Sequence, residues 1–451
     1  MKTVLTLLSL VAFIQLNAAP LDARECVARN GLPNFYFKCS NKKTVKVAYF
    51  GGSITAQPGW RVQSLNLFRK QFPQTVFEEI YAPIGGTDSL LGAFRLKRDV
   101  TAHKPDLVFV EFAANDGGRG SQTNSVEGIV RNLWNALPEC DICFVYTVFG
   151  EEPQKALENG KITEVVAAYE KVADHYGIPS IHMGVEAAKL AKAGRLIWKS
   201  SAGSMQFVAG KELNESAGIR VDAEGRIPFA PDGVHPYLDT GHVLYTQAIA
   251  RSLPEIEKVG NAERPHAALP APLGEYVREV DFFDAGTAAM SGQWEKIEDL
   301  EKHFPGREDL RLFVPSVWKG TPGSSMKFTF AGRSLMIYAA AGPGTGMMEV
   351  SINGVSKKYR IFDSWSGVWR LRPFFLLGDH DPKIPVSVTV TALKDRLDKR
   401  AYLARIKREK QFDADPAAFV PDDLYICGIF VEAGKLLPSD SDGAKPAEER
   451  K

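Results

Sequence analysis

The stretch VKVAYFGGSITAQPGW, residues 45–60, decides the fold of the first half of this chain. It opens on a nearly continuous apolar run, which is typical of a strand buried on both faces of a parallel sheet. Two glycines then allow a tight turn, and Ser53 follows at once. Helical spacing begins at Trp60. The stretch therefore predicts a strand–turn–helix unit that carries a serine at the carboxyl end of its strand.

The same alternation of strand and helix continues to Leu253. Helical patterns separate the next apolar runs, and the last of them, GHVLYTQAIARSL, closes the series. Repeated strand–helix units predict a three-layer α/β/α, flavodoxin-like domain with a parallel sheet. The polar, glycine-dotted segment 199–230 interrupts the pattern, and we expect it to be an insertion that folds over the site. The further strands are predicted at 75–83, 106–113, 141–149 and 178–184.

In the second half of the chain the apolar residues follow a different pattern, without the alternation of strands and helices. Residues 259–276 are rich in proline and alanine and read as a linker. Short strand-like runs broken by Gly, Asn and Asp follow, and they predict a β-sandwich or jelly roll over residues 277–436. The aromatic segment FDSWSGVWRLRPFF is either a sugar-binding platform or part of the sandwich core, and the core is favoured. The polar tail, 437–451, is expected to be disordered.

The N-terminal stretch MKTVLTLLSLVAFIQLNAAP reads as a secretory signal peptide over residues 1–19, which leaves the first domain at 20–258. Its apolar run is short for a membrane span, although an uncleaved anchor is the alternative. No other segment is apolar enough to insert stably in a membrane, so we expect a secreted or periplasmic protein. The formal net charge of +1 argues against a nucleic-acid or acidic-membrane partner.

The five cysteines suit an oxidising compartment without defining a disulfide framework. Cys26 and Cys39 bracket a loop-rich segment and could pair. Cys140 and Cys143 form a single C-x-x-C, for which packing or a local disulfide is expected, because a zinc site would need a second such pair. Cys427 lies in a strand-like apolar run and reads as a core residue.

Three later segments indicate that Ser53 is more than a turn residue. The loops APIGGTDS and EFAANDGG follow the second and third strands, at the same edge of the sheet. Further on, FAPDGVHPYLDTGH places Asp232 three residues before His235. A serine hydroxyl becomes a good nucleophile only with a base, and that base needs an orienting partner. Taken alone, each of these pieces is typical of an ordinary turn.

Together, in this order, the four blocks resemble the SGNH hydrolases, also called the GDSL esterase family. The blocks are GGSIT, IGGT, AAND and DGVH, and the resemblance extends from Val45 to Leu253. The wording VAYFGGSIT and VFVEFAAND is similar to a subgroup often found in secreted carbohydrate esterases. Two residues depart from the usual pattern. Gly52 replaces the usual Asp beside the serine, and Ala113 replaces the usual Gly of the third block.

The resemblance implies a role for each matching residue. Ser53 would be the nucleophile, His235 its general base and later the acid, and Asp232 the residue that orients His235. The implied oxyanion donors are two backbone N–H groups and one side-chain amide, with Gly86 preferred over Gly85 in the alignment. These donors are Ser53, Gly86 and Asn115. The family needs no metal and no organic cofactor.

The resulting hypothesis is a secreted serine esterase that hydrolyses O-acetyl or other short acyl esters, with an acylated carbohydrate or polysaccharide as its partner. The alternatives are a lipase, thioesterase or sugar O-acetyltransferase of the same fold, and a non-catalytic glycan-binding protein. Trp60 and Tyr237 could stack on a sugar or simply pack in the core or at its rim. Arg95 and Glu111 lie close to the motifs and are interpreted as structural partners.

Overall fold

The computed structural model describes residues 22–41, 44–117, 122–201, 218–260, 262–266 and 268–438. The predicted signal peptide, residues 202–217 of the predicted insertion and the tail beyond residue 438 lie outside these ranges. Across the ranges that are described, we find no helix whose length and apolar character would let it cross a membrane.

The first domain alternates strands and helices as predicted. Its strands are β1 (Cys26–Val27), β2 (Thr44–Gly51), β3 (Val76–Tyr81), β4 (Leu107–Glu111), β5 (Asp141–Tyr146), β6 (Ser180–His182), β7 (Leu196–Lys199) and β8 (Ile227–Ala230). Its helices are α1 (Pro33–Asn41), α2 (Ser53–Ala56), α3 (Trp60–Gln71), α4 (Ser89–Asp99), α5 (Gln122–Ala136), α6 (Glu151–Glu158), α7 (Glu164–Tyr176), α8 (Val185–Lys192) and α9 (Gly241–Glu257).

The central sheet has the strand order β1-β6-β5-β4-β2-β3. All neighbours are parallel except β1, which pairs antiparallel with β6. The five predicted strands are therefore confirmed, whereas β1 and the small β7–β8 pair were not predicted. The chain leaves β2 toward β3 on one side and returns to β4 on the other, so the order reverses at β2. Ligands of such sheets bind in the crevice at the carboxyl ends of the strands at this point.

Both faces of the sheet are buried, as the apolar run at β2 indicates. Val47 and Tyr49 point into one apolar layer, and Ala48 and Phe50 point into the other. All four side chains are inaccessible to solvent. Burial of each large side chain contributes about 1.5–3 kcal/mol. This double burial holds β2 rigidly, and Ser53 follows directly from its end.

The second domain is a sandwich of two antiparallel sheets. Its strands are β9 (Val280–Asp284), β10 (Ala289–Ser291), β11 (Trp294–Ile297), β12 (Val317–Gly320), β13 (Ser325–Ala331), β14 (Ser334–Ala341), β15 (Met347–Ile352), β16 (Val355–Arg360), β17 (Arg370–Leu377), β18 (Val386–Ala392), β19 (Leu424–Glu432) and β20 (Lys435–Leu437). Its short helices are α10 (Leu300–His303), α11 (Glu308–Phe313), α12 (Lys399–Arg405) and α13 (Glu409–Ala414).

One sheet of the sandwich has the order β10-β13-β18-β15-β16, with β20 also paired to β13. The other has the order β11-β12-β19-β14-β17, with β9 also paired to β19. The predicted β-sandwich is thus present, and each of its seven predicted runs forms a strand. Strands β9 to β12 and β20 were not predicted, because they are short and few of their residues are fully buried.

The β14–β19 sheet is buried on both faces because it also packs on the α/β domain. Along β14, Leu335 and Ile337 point into the sandwich core, whereas Met336 and Tyr338 pack in the apolar layer that includes α4 and α5. One continuous core therefore joins the two domains.

The five cysteines are unpaired. Cys140 and Cys143 pack in opposite layers of the α/β domain, so the local disulfide considered for them is not formed. Cys427 is buried, as predicted. The aromatic segment of the sandwich is divided, with Phe374 in the core and Trp365 60% exposed.

Candidate active site

Ser53 lies at the carboxyl edge of the sheet, as the first residue of α2 directly after β2. A Cβ atom added at Gly51 would come within 2.5 Å of the Glu111 carbonyl oxygen. One added at Gly52 would come within 2.2 Å of Asn115 Oδ1. Glycine at 52, where the family usually has Asp, therefore leaves the space that the Asn115 side chain occupies.

The structure brings Ser53, His235 and Asp232 together. Ser53 Oγ lies 2.9 Å from His235 Nε2, and His235 Nδ1 lies 2.7 Å from Asp232 Oδ2. A carboxylate only accepts hydrogen bonds, so the proton belongs on Nδ1, and Nε2 is left to accept the serine hydroxyl. This is the arrangement in which a histidine can remove the proton of a serine during nucleophilic attack.

Asp232 is held as a carboxylate by its surroundings. Partial burial alone would raise its pKa, but hydrogen bonds from the His235 imidazole and from two backbone N–H groups outweigh burial and lower the pKa. The N–H groups of Val234 and His235 each donate to Asp232 Oδ1 at 2.8 Å. One carboxylate oxygen thus fixes the turn, and the other orients the imidazole.

A hydrogen-bonded relay supports the loop that carries His235. The backbone N–H of Trp60 donates to His242 Nδ1 at 3.1 Å, and His242 Nε2 donates to Gln57 Oε1 at 3.2 Å. Gln57 Nε2 in turn donates to the Pro236 carbonyl oxygen. His242 is fully buried, and burial lowers its pKa to about 3, which keeps the ring neutral. This relay connects the residues after Ser53 to the residue after His235.

Sequence analysis missed the relay. Its members are distant in sequence, and a histidine on a helix has no signature of its own. The one available signal was Gly59, where a Cβ atom would come within 2.2 Å of the His242 ring.

Gly85 and Gly86, the two glycines considered for the oxyanion side of the site, differ in how close they lie to Ser53. A Cβ atom added at Gly85 would lie 3.5 Å from Ser53 Cβ, whereas one added at Gly86 would have no atom within 4 Å. Gly86 instead supplies the turn, with φ +72°. An added Cβ atom thus approaches Ser53 at Gly85 and not at Gly86, which makes Gly85 the better candidate for the oxyanion donor. Asn115, in the loop after β4, lies against Gly52.

Asp116 ties the Asn115 loop to the neighbouring helices. Its carboxylate accepts the Ser89 N–H at 2.8 Å and the Tyr169 hydroxyl at 2.6 Å. It is 3% exposed, and burial raises its pKa. Asp116 therefore fixes the backbone on which Asn115 sits, a role that sequence analysis did not assign.

Glu111 and Arg95 are structural partners, as interpreted. Glu111 accepts hydrogen bonds from Thr55 on α2 and from Thr147 after β5, at 2.8 and 2.7 Å. Burial raises its pKa to about 7 in spite of these bonds. Arg95 is fully buried and pairs with Asp99 at 3.2 Å.

The weak substrate-binding predictions for Trp60 and Tyr237 are not supported. Trp60 has no exposed surface and packs edge-on against Tyr49 and Phe109, so no sugar can reach it. Tyr237 is 2% exposed, and its hydroxyl donates to the Ser200 carbonyl oxygen. Both rings pack inside the domain, which is the alternative to sugar stacking that the sequence left open.

Comparison with solved structures gives a likeness over both domains. A two-domain esterase named CEX, described as active on acetylated mannans, has 18% identity and a TM-score of 0.67. The match covers 92% of this chain and 99% of that chain. Its co-crystal with mannopentaose gives 18% identity and a TM-score of 0.66, over 91% and 98% of the two chains. At this identity the likeness shows the two-domain fold.

A catalytic mutant of Axe2, an acetylxylan esterase from Geobacillus stearothermophilus, has 14% identity and a TM-score of 0.33. That match covers 46% of this chain and 94% of the other. No curated protein matches this chain in sequence. Residues 49–204 match the model of the GDSL-like Lipase/Acylhydrolase family. The predicted resemblance to the GDSL family is thus confirmed over that part of the chain.

Proposed function

We propose that this protein is a serine esterase that removes O-acetyl or other short acyl groups from a carbohydrate. The observation that carries the proposal is the hydrogen-bonded series from Ser53 through His235 to Asp232. The GDSL family match supports the reaction class. The two-domain neighbour described as active on acetylated mannans supports the substrate class.

In the proposed mechanism, Ser53 Oγ attacks the ester carbonyl carbon while its proton passes to His235 Nε2. Asp232 stabilises the imidazolium that forms. The negative charge on the former carbonyl oxygen is met by the N–H groups of Ser53 and Gly85 and the side-chain amide of Asn115. Loss of one such donor costs about 10²–10³ in rate.

The tetrahedral intermediate then collapses. The bond from the carbonyl carbon to the sugar oxygen breaks, and His235 Nε2 gives its proton to that oxygen. An acyl-Ser53 ester remains. Water attacks this ester with the help of His235, and acetate leaves as Ser53 recovers its proton.

Secretion remains part of the proposal, because an enzyme that acts on polymeric glycans must meet them outside the cell. The support is the predicted signal peptide at residues 1–19. Mass spectrometry of the protein recovered from the producing cells tests this point, because cleavage near Ala18 or Ala19 gives a defined N-terminus. An intact Met1 on the mature protein would contradict it.

The enzymatic proposal is tested by acetate release from acetylated mannan, acetylated xylan and 4-nitrophenyl acetate. We expect wild-type protein to release acetate and Ser53→Ala to lose activity by three or more orders of magnitude, as found for removal of triad members. Ser40→Ala, a change on the exposed end of α1, is the matched control. Equal activity of Ser53→Ala and wild type would refute the mechanism, and glycan binding without turnover would favour a binding protein.

A further inference from the structure

A cleft next to Asn115 is not used by the mechanism described above. Its volume is about 640 Å³, and it opens between the loop after β5 and the N-terminal end of α7. Asn115 and its neighbour Ala114 line the cleft, and so does His182 at the end of β6. The volume is in the range of ordinary ligand pockets. We refer to it as the Asn115–His182 cleft.

His182 contributes a buried ring to the cleft lining. Its side chain is 95% buried, and its Nδ1 atom has no hydrogen-bond partner among the described residues. Burial lowers the pKa of the ring to about 4, so it is neutral at physiological pH. A buried polar atom without a partner costs free energy, and such groups are normally satisfied by protein, water or ligand. Because this atom is inaccessible to solvent, His182 offers the cleft an uncharged surface.

Phe149 is the first indication of a ligand. It follows β5 in an irregular segment, lines the same cleft and is 43% exposed. An exposed aromatic ring beside hydrogen-bonding groups suits a ligand that has both an apolar face and hydroxyl groups. Sugar rings have this character.

The charge of the lining residues indicates which class of ligand the cleft can bind. Three carboxylates line the cleft, from Glu151, Glu152 and Glu164, and among its described lining residues none is a lysine or arginine. Glu151 pairs with Lys155 at 3.1 Å. For Glu152 and Glu164 no ion pair is recorded in the described part of the chain. A negative rim repels anionic ligands and tolerates uncharged ones.

We propose that the Asn115–His182 cleft binds the sugar units that flank the acylated one, and that it selects uncharged glycans over glycans with uronic acids. The inference rests on the proposed function, because it makes the cleft an extension of the site at Ser53. Phe149 would pack against a sugar face, and Glu152 and Glu164 would repel carboxylates.

The test compares kcat/KM for acetate release from three substrates. These are acetylated oligogalacturonides, the same oligosaccharides with their carboxylates methyl-esterified, and 4-nitrophenyl acetate. We expect wild type to prefer the uncharged form at least tenfold at low salt. The double variant Glu152→Gln/Glu164→Gln should shrink this preference about fivefold, since each pair of partly exposed charges contributes about 1 kcal/mol or less. Glu255→Gln on α9, outside the cleft lining, is the control and should keep the preference.

Phe149→Ala tests the sugar-packing role. It should lower kcat/KM for an acetylated manno-oligosaccharide at least tenfold more than for 4-nitrophenyl acetate, because the small ester has no sugar to pack. An esterase whose preferences are the same in wild type and in all cleft variants would overturn the inference while leaving the proposed function intact.

If no ester is hydrolysed at all, the proposed function fails, and binding decides the inference separately. Uncharged manno-oligosaccharide is then titrated into wild type and Phe149→Ala by calorimetry. At least fivefold weaker binding by Phe149→Ala supports the cleft as a glycan site. Absent binding, or equal binding by both proteins, contradicts it.

Discussion

At Gly52, the absence of a side chain sets the geometry of two functional groups. The residue lies between the end of β2 and Ser53, and the Asn115 side chain fills the space beside it. An aspartate here, as the family usually has, would force Asn115 or the turn to move. This departure from the motif therefore looks harmless in sequence but is linked to Asn115 in the structure.

Replacement of Gly52 by Asp should impair this protein, although it restores the usual motif. We expect kcat to fall about 10²-fold, the typical cost of a displaced oxyanion donor or a misplacement near 1 Å. Gly274→Asp, at a position with no atom within 4 Å of an added Cβ, is the control for the aspartate itself. Steady-state kinetics on 4-nitrophenyl acetate gives the answer, and a Gly52→Asp variant as fast as wild type would contradict this reading of Asn115.

Asp232 should matter through the orientation of His235. In Asp232→Asn the amide can still bond the imidazole but favours the wrong tautomer, so we expect kcat to fall about 10²–10⁴-fold. Asp239→Asn, a change in the same region at an aspartate that pairs with Arg220, is the matched control. Comparable losses in both variants would mean that the effect comes from the loop and not from His235.

At the scale of elements, the contact of α9 with α3 depends on a neutral histidine. His242 on α9 accepts the Trp60 N–H at the start of α3, and it can do so only while Nδ1 is unprotonated. The local sequence contains nothing that singles out this contact. It depends on how two helices distant in sequence pack, which is why the relay could not be predicted, although α9 itself could.

The low pKa of His242 makes stability depend on pH. Above pH 6.5 neither the folded nor the unfolded state protonates this ring. As pH falls from 6.5 toward the folded-state pKa of about 3, the unfolded state takes up a proton that the folded state refuses. The free energy of unfolding therefore falls by about 1.4 kcal/mol per pH unit from this group.

Denaturant unfolding at pH 7 and pH 5 measures this effect. Relative to wild type, His242→Gln should gain about 2 kcal/mol between pH 7 and pH 5, because it lacks the titrating ring. His103→Gln, a change at an exposed histidine, is the control for the loss of a histidine side chain. A constant difference between wild type and His242→Gln would show that His242 is not held neutral.

The elements near the site were largely predictable, because long apolar runs and glycine turns are strong local signals. The five parallel strands followed from them, and so did the placement of Ser53 and Asn115 at the carboxyl edge of the sheet. The assignment of Asp232 and His235 as partners of Ser53 came from the resemblance to the GDSL family. The choice between Gly85 and Gly86 could not be made, since it depends on the φ angle of one turn. Trp60 was ambiguous, because an aromatic residue near a motif is read equally well as a platform or as core.

At the scale of the whole molecule, the two domains share a core. Arg98 on α4 places its guanidinium over Phe282 and Phe430 of the sandwich, at 4.5 and 5.5 Å from the ring centres. A signal for this contact existed in the sequence. The run SLMIYAAA has no polar alternation, which in an antiparallel sheet means that something covers the outer face. The sequence did not say what covers that face, and the structure shows that it is the α/β domain.

The shared core predicts that the chain unfolds as one unit, with a single transition in calorimetry. Arg98→Ala should lower the stability of the whole chain by about 2 kcal/mol, since it removes packing and cation–π contacts at the interface. Lys97→Ala is the matched control, because its ion pairs with Glu279 and Asp281 cross the same interface but are exposed. Exposed pairs contribute about 0–1 kcal/mol. Two separate transitions in wild type would contradict a shared core.

The central claim is that Ser53 is a nucleophile activated by His235, and covalent trapping tests it most directly. The protein is treated with an alkyl fluorophosphonate, which loses fluoride when an activated serine attacks its phosphorus, and is then digested for mass spectrometry. We predict a single adduct on the peptide that contains Ser53, absent in Ser53→Ala and strongly reduced in His235→Ala. An adduct on another residue, or no adduct on a folded protein, would contradict the claim.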